Sequence, residues 1–486
     1  MMKNSSHSYF WRQNIDLASR GAYHKKIMFN AVSRSFFFFL SITLIVQSCA
    51  TYRPKPLGEA QVEKALAPPR LKSIRIKAAR IKHPILKPRL INFKKGISPG
   101  DAAVIAAINN PVLRAERDRM GIAGAQLLQA GILPNPVFDG SMDFPTGGID
   151  QGTVAAYGVG AVWNIIKALI TRNARVEAAR AAVAQVDLGV AWEEWQVAEA
   201  AKLGVYRVVT LQKELRVTQA AEQKLEKNLA AIKKAVAEGN MTVVDLEAVE
   251  ATVRGTHNTV LKLEQKLDEA KLRLDRTMGF PPGSHIRLAG GAPPEKKAKT
   301  KVIPSLPEIM KGIEERRLDL LALKEGYLSR EASLRAAVRA QFPDIGIGFL
   351  QAQDTTPVVT TGFSVSISLP FFDRNQGRIV IERASRRQLY DDYLARVFEA
   401  RAGAAAILAD IRAVKVQVRA ARRAVQSQRK LVRVSYAGFL EGNIDALSYY
   451  NEVDKLTSAR LGVLKLKQDL TGLYVALEIT AGEILI

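Results

Sequence analysis

A chain of 486 residues with a single cysteine, Cys49, can form no internal disulfide and no thiolate metal cluster. Histidine is scarce too: five are present, three of them before residue 84, and none stands in an HExxH or similar ligand spacing. His257 and His285 are isolated and read as surface positions. The consecutive acids Glu193-Glu194 and Asp391-Asp392 point in different directions on a helix and read as solvated faces. With no catalytic constellation, an enzyme is the least supported class, and no cofactor or metal is implied. Aromatics make up only 7% of the residues, so alanine carries much of the apolar fraction, as close helix packing requires.

Proline is missing where it matters most. Thr171 to Glu238 holds none and only two glycines, so one unbroken helix here is ~100 Å long at ~1.5 Å per residue. Arg378 to Glu441 is again proline-free, and both stretches end in a Glu-Gly-Asn triplet, at Glu238 and at Glu441. Two such helices suit a conduit or a spacer.

The formal charge of +24 raises nucleic acid as a partner, but its distribution argues against one. Residues 50–95 carry thirteen Lys/Arg against Glu59 and Glu63, with only Tyr52 and Phe93 as aromatics and with prolines that break any groove-entering helix. This segment reads as a solvated, extended tether in reach of anionic lipid or cell wall. Ahead of it, the apolar run Phe36–Val46 follows Lys25, Lys26 and Arg34 and is too short for a membrane helix, which needs ~20 apolar residues. It reads as the core of a signal peptide over residues 1–48, with Met28 as an alternative start. Val46-Gln47-Ser48-Cys49 resembles a bacterial lipobox, which implies cleavage before Cys49 and acylation there; by the same resemblance, Ala50 favours outer-membrane sorting.

After a tether over residues 49–97, the chain divides into two repeats, 98–280 and 308–486, joined by a Pro-, Gly- and Lys-rich connector over 281–307. In the first, Ser98-Pro99-Gly100-Asp101 opens a helix expected to run to Gly131. Two alternating segments follow, with Phe138, Gly140, Met142 and Phe144 on one face, then Tyr157, Val159, Ala161 and Trp163. Such alternation fits a lipid-facing barrel strand or a soluble hairpin with one buried face. The long helix comes next, and a returning helix with a seam at Val260, Leu263, Leu267, Ala270 and Leu274. The second repeat replays this: a helix over 308–340, strands with Ile345, Ile347 and Phe349 and then Phe363, Val365, Ile367 and Leu369, a long helix, and a returning helix. An offset of 203 places Gly442 on Gly239, Gly482 on Gly279 and the Val463–Leu477 seam on Val260–Leu274. The expected fold is therefore mostly α with a small β part, a duplicated helix–β-hairpin–long helix–helix repeat. Four strands are too few to close a membrane barrel, which takes at least ~8, so the chain must oligomerise if they enter lipid.

This order of elements, Leu369-Pro370-Phe371-Phe372-Asp373-Arg374-Asn375-Gln376-Gly377, and Tyr436-Ala437-Gly438 leading into Glu441-Gly442-Asn443 resemble the TolC family of outer-membrane efflux proteins over roughly Ser98 to Ile486. The resemblance implies a homotrimer with a 12-stranded transmembrane β-barrel in the outer membrane and an α-helical barrel in the periplasm. It implies partners as well: a periplasmic adaptor (membrane fusion protein), an inner-membrane pump of the resistance–nodulation–division (RND) type, and outer-membrane lipid, but no nucleic acid. The function implied is a passive exit duct for small molecules or metal ions. In the family, acids after the tip glycine line a closing constriction. Here Ser448 and Asn451 stand where aspartates are common, which departs from the pattern; Asp245, Glu247, Glu250 and Asp445 are the remaining gate candidates. An alternative role for these acids is to favour the N-termini of the returning helices. Gly239 and Gly442 are expected to serve the tip turns. The rival to a duct is a lipid-anchored periplasmic coiled-coil adaptor or scaffold without a pore. An adaptor usually shows one hairpin flanked by lipoyl-like halves, not two hairpins and four alternating strands.

Overall fold

The computed structural model describes residues 51–148, 152–284, 286–289, 304–356 and 358–485. The leader, the lipobox with Cys49, and His285 lie outside them. The described residues up to Ala67 belong to one unit, in which the helix α1 (Glu59–Leu66) buries none of its residues. Pro68–Ile486 forms the second, to which all that follows belongs.

The extended tether expected over residues 50–95 gives way at Pro68. A helix α2 (Leu71–Ala79) buries Ile74 and Ala78, and Leu86, Ile91 and Ile97 are buried beyond it. Lys72, Arg75 and Lys77 of that helix stay exposed, so the basic composition describes its surface and not its interior. His83 fixes the segment: its Nε2 lies 2.9 Å from the Ala191 carbonyl, and its Nδ1 accepts the Ile85 and Leu86 amides at 3.0 Å.

The helix expected from Ser98 to Gly131 is two helices, α3 (Pro99–Asn109) and α4 (Pro111–Gly131). Ser98 and Asp101 form the capping box that opens the first. Pro111 disfavours helical backbone at Asn110, whose Oδ1 instead caps α4 through the Val112 amide at 2.8 Å. The second repeat is broken in the same place, into α7 (Leu306–Met310), α8 (Ile313–Arg316) and α9 (Leu318–Arg339), where one helix over 308–340 was expected. Gly312, at φ 71°, makes the first of those turns.

The strands β1 (Val137–Asp143), β2 (Ala156–Asn164), β3 (Asp344–Gln353) and β4 (Val359–Ser368) form one antiparallel sheet in that order. Between them and after them run α5 (Ile166–Ala237, 72 residues), α6 (Val243–Met278), α10 (Gln376–Leu440, 65 residues) and α11 (Ala446–Ala481). The offset of 203 holds to the residue: Ala237 and Leu440 end the long helices, and Val243 and Ala446 begin the returning ones. Gly239 and Gly442 share φ near 75°, at 74° and 76°. Each tip closes in the same way, with the Asn240 amide donating to Ala235 and the Asn443 amide to Gly438.

The seams are the core. Val260, Leu263, Leu267 and Leu274 of α6 are buried, as are Ala400, Ala404, Ile411 and Val418 of α10. Leu263, Leu267 and Leu274 join Val205, Val208 and Leu211 of α5 in one cluster, and Ala404 and Ile411 join Leu470, Tyr474 and Leu477 of α11 in another. Burying each such side chain stabilises the hairpins by about 1.5–3 kcal/mol.

Candidate functional site

At the sheet, register decides which side chains share a face. Phe138, Ala161, Phe349 and Phe363 lie across the four strands in one row, and Trp163, Ile347 and Val365 in another. The opposite face carries Gly348 against Ser364 and Gly346 against Ser366. Among the described residues no layer covers the apolar face: Phe363 is 89% exposed and Val365 67%. Within the chain, then, the sheet does not bury the face that a soluble hairpin would bury. Strands of nine or ten residues, as β2, β3 and β4 are, match the length that crosses a bilayer with a tilt of about 45°.

Where the sheet meets the helices, Trp163, Phe342, Phe371 and Phe372 are all exposed. The indole of Trp163 donates to the Pro134 carbonyl at 2.8 Å, so one end of the ring is satisfied and the other faces outward. The turn that follows is built by its own residues. The Asn375 amide donates to Asp373 at 2.8 Å, Asn375 adopts φ 59°, and its side-chain amide donates to the Ala337 carbonyl of α9 at 2.7 Å.

At the opposite end of the hairpins, the structure places every gate candidate within one turn or two of a tip. Asp245 forms a capping box with Thr242, whose hydroxyl donates to it at 2.6 Å. In the second repeat the two groups exchange places: Asp445 is the N-cap and receives the Ser448 amide at 2.7 Å and its hydroxyl at 2.8 Å. Those bonds from Ser448 hold the Asp445 carboxyl below its ordinary range. Glu250 is likewise held down, first by its bond from Lys233 at 2.9 Å and then by Arg254 at 3.2 Å. Glu247 lies 3.8 Å from Arg254. Each of the four acids thus has a partner within its own chain, while Ser448 and Asn451 are exposed.

Tyr449 and Tyr450 were not singled out from the sequence. Both are buried, packed with Leu225, Ile232 and Val249 of the first hairpin and with Phe439 of α10. The Tyr449 ring stacks on Phe439 at 5.5 Å and meets Tyr450 edge-on at 4.8 Å. Burial pushes the Tyr450 hydroxyl up to about 12. The offset of 203 sets them opposite Leu246 and Glu247, and that break in the repeat was the available signal.

Midway along α5, Lys202 is paired with Glu199 and with Glu478 of α11. Burial raises Glu199 to about 8, against the opposing pull of Lys202. Glu194 is not the solvated side chain expected, because Arg117 donates to it at 2.6 Å and His83 lies 3.8 Å away. His257 is exposed and contacts Glu222 at 2.6 Å. Among the described residues, no group of three or more His, Cys, Asp or Glu could hold a metal ion, and no helix is long and apolar enough to cross a membrane.

Comparison with known proteins adds the following. The family described as outer membrane efflux protein matches residues 310–483. No curated protein matches in sequence. Among solved structures, the CusC structure, described for transmembrane channel formation, is 17% identical, with a TM-score of 0.68 over 83% of this chain and 98% of that one. VceC, an outer membrane protein of Vibrio cholerae, is 15% identical with a TM-score of 0.66, over 80% of this chain and 97% of its own. The open state of the MtrE outer membrane channel of Neisseria gonorrhoeae is 16% identical with a TM-score of 0.64, over 90% and 98%.

Proposed function

We propose that this chain, whose residues 310–483 match the outer membrane efflux protein family, is the outer-membrane duct of a tripartite efflux system. One observation carries the reading. A single four-stranded sheet with an uncovered apolar face, and with β1 and β4 as open edges, stands at the end of two hairpins of very long helices.

Open strand edges are not tolerated in lipid, so β1 of one copy pairs with β4 of the next. Three copies supply twelve strands, within the range of membrane barrels, and the number three is that of the TolC-like resemblance. The hairpins continue the barrel as a helical tube into the periplasm. There a periplasmic adaptor and an RND-type inner-membrane pump engage it, and the pump supplies the work. The duct itself is passive and carries small molecules or metal ions. Acylation at Cys49 anchors the N-terminus in the outer membrane. In the trimer the acids at the tips, Asp245, Glu247, Glu250 and Asp445, form rings of three that favour cations, weakened by the Lys233 and Arg254 that pair with two of them.

The test is single-channel conductance of the purified trimer in planar bilayers, with Asp245→Ala and Asp445→Ala beside wild type. Cation-selective openings that shift toward anions in either variant support both duct and rings. Openings indifferent to both keep the duct and remove the rings. A folded trimer that stays silent even after the tips are cut away overturns the duct in favour of a bridging scaffold without a pore.

A further inference from the structure

The two hairpins match in length and turn but not in charge. Residues 208–278 hold twelve Lys/Arg and eleven Asp/Glu; residues 411–481 hold twelve Lys/Arg and six Asp/Glu. The second hairpin has kept the cations and lost the carboxylates. The imbalance is concentrated on α10, where residues 411–440 carry eight Lys/Arg and no acid at all.

These residues are not scattered around the helix. Taking the buried seam positions Ile411 and Val418 as heptad position a, Arg412, Arg419 and Arg433 fall at b, Arg422 and Arg429 at e, and Arg423 and Lys430 at f. Positions e, b and f are adjacent around a helix with 3.5 residues per turn, so the seven form one stripe beside the seam. All seven are exposed, and among the described residues none makes an ion pair. The stripe opposes helix formation, since like charges at i,i+4, as in Arg419–Arg423 and Arg429–Arg433, repel. Crowding has measurable effects nearby: Lys415 and Arg460 are both lowered, first by burial and then by Arg419 and Arg429 respectively. Position c, which borders the stripe on the side away from the seam, is held by Ala413, Ala420 and Ser427, all exposed and small enough for another backbone to come close.

We infer that this stripe on α10 is the docking surface for an acidic helix of a partner protein, one that carries carboxylates at heptad spacing and lies lengthwise along the second hairpin. The inference rests on the duct reading above and names the chemistry of its periplasmic partner. From Arg412 to Arg433 the stripe runs about 32 Å at ~1.5 Å per residue, the length of a helix face and far more than a solute covers. Its heptad repeat keeps the charges in line along a supercoiled groove, which a diffusing anion does not need and a packed helix does. The first hairpin of this chain, with twelve Lys/Arg to eleven Asp/Glu, offers no net counter-charge to a neighbouring copy.

The probe is a synthetic antiparallel helical hairpin with glutamates at heptad spacing on one face. Its control has the same composition with the glutamates scattered off the heptad. Binding to the purified full-length trimer is followed by fluorescence anisotropy, with the conductance of each sample recorded in parallel. The striped hairpin is expected to bind at least tenfold tighter than the scattered one and to weaken as salt rises. The triple variant R419E/R422E/R429E is expected to lose that binding and to bind a lysine-striped hairpin instead. Arg→Lys at the same three positions keeps the charge and the binding, which controls for folding. Equal binding of striped and scattered hairpins overturns the proposal. So does a charge reversal that leaves binding unchanged while inverting the ion selectivity of the channel, which would put the stripe inside the duct. Heptad-specific binding by a trimer that never conducts would leave the docking surface standing and overturn the duct.

Discussion

Lys202 of the first long helix donates its ammonium to Glu478 of the last helix, two residues 276 apart in sequence. Glu199, one turn back on α5, contacts the same ammonium at 3.1 Å, so one ammonium lies between two buried carboxyl groups, of which Glu199 holds its proton near neutral pH. The first repeat is thereby tied to the second halfway along the shaft. Lys202→Met leaves the two acids facing each other without a counter-charge. Breaking a buried pair in this way costs about 3–5 kcal/mol. The expected outcome is a large drop in the thermal midpoint of the trimer, smaller in the double variant Lys202→Met/Glu199→Gln.

The same cluster sets a pH dependence. Glu199 is raised from its ordinary 4.5 to about 8, so between those values the folded chain holds a proton that the unfolded chain has released. Stability from this group is therefore full below pH 4.5 and is lost as pH rises toward 8. Glu199→Gln is expected to flatten that decline in a series of denaturant titrations from pH 5 to 8.5. An unchanged slope in the variant would remove Glu199 as its source.

Four glycines at matched positions allow a paired comparison. At Gly239 and Gly442 a Cβ would meet nothing within 4 Å, so alanine there suffers only the left-handed backbone, roughly 1–2 kcal/mol. At Gly279 it would lie 2.5 Å from the Asn109 carbonyl oxygen, and at Gly482 3.0 Å from the Arg317 Cα. Gly279→Ala and Gly482→Ala are expected to lower the melting midpoint by more than their tip counterparts, and equal losses would contradict the steric account.

Tyr449 joins the two hairpins near their tips. Tyr449→Ala removes a large buried ring and is expected to cost about 3–5 kcal/mol locally, by the usual effect of aromatic truncation. Hydrogen exchange should speed up at Leu225, Ile232 and Val249 while amides around Trp195 keep their protection. Uniform loss along the shaft would mean that the tips are not a separate unit.

Lipidation is tested directly. Cys49→Ser is expected to abolish incorporation of labelled palmitate and to release the N-terminus from lipid, with the trimer still formed. Palmitate retained in the variant would place the acyl chain elsewhere.

The parts legible in the sequence were those decided locally. Glu238-Gly239-Asn240 and Glu441-Gly442-Asn443 end their helices because glycine alone takes the left-handed turn without strain, and the chain states this within three residues. The alternation of Phe363, Val365 and Ile367 with serines carried the face of β4 in the same way. The break at Asn110 was signalled locally by Pro111, which disfavours helical backbone before it, although helical periodicity continues across it. What holds it is distant: the Asn109 side chain donates to Met278 and Gly279, and Asn110 to Thr277. The packing of residues 68–97 was hidden by their charge, because only Ile74 and Ala78 stand at helical spacing and Leu86 and Ile91 lie outside any helix. At the tips, the acids were read as gate candidates or as favouring the N-termini of the returning helices, and Asp245 and Asp445 both take part in caps there. The clustering of Tyr449 with Leu225 depends on how two hairpins lie against each other, which no local pattern encodes.

The equality of the two hairpins, which turn and return at residues 203 apart without a single slip, makes the protein's reach a quantity that changes only in steps. Adding one heptad to α5 alone would carry its tip about 10 Å past that of α10, deleting one would leave it as far short, and either would shear the pairings between α5 and α6 out of phase. To lengthen the shaft while keeping its seams in register, one heptad must enter all four helices together. A gene encoding such a chain can therefore be tuned to a deeper or shallower envelope by fourfold seven-residue insertions, and single insertions anywhere in the shaft should be selected against.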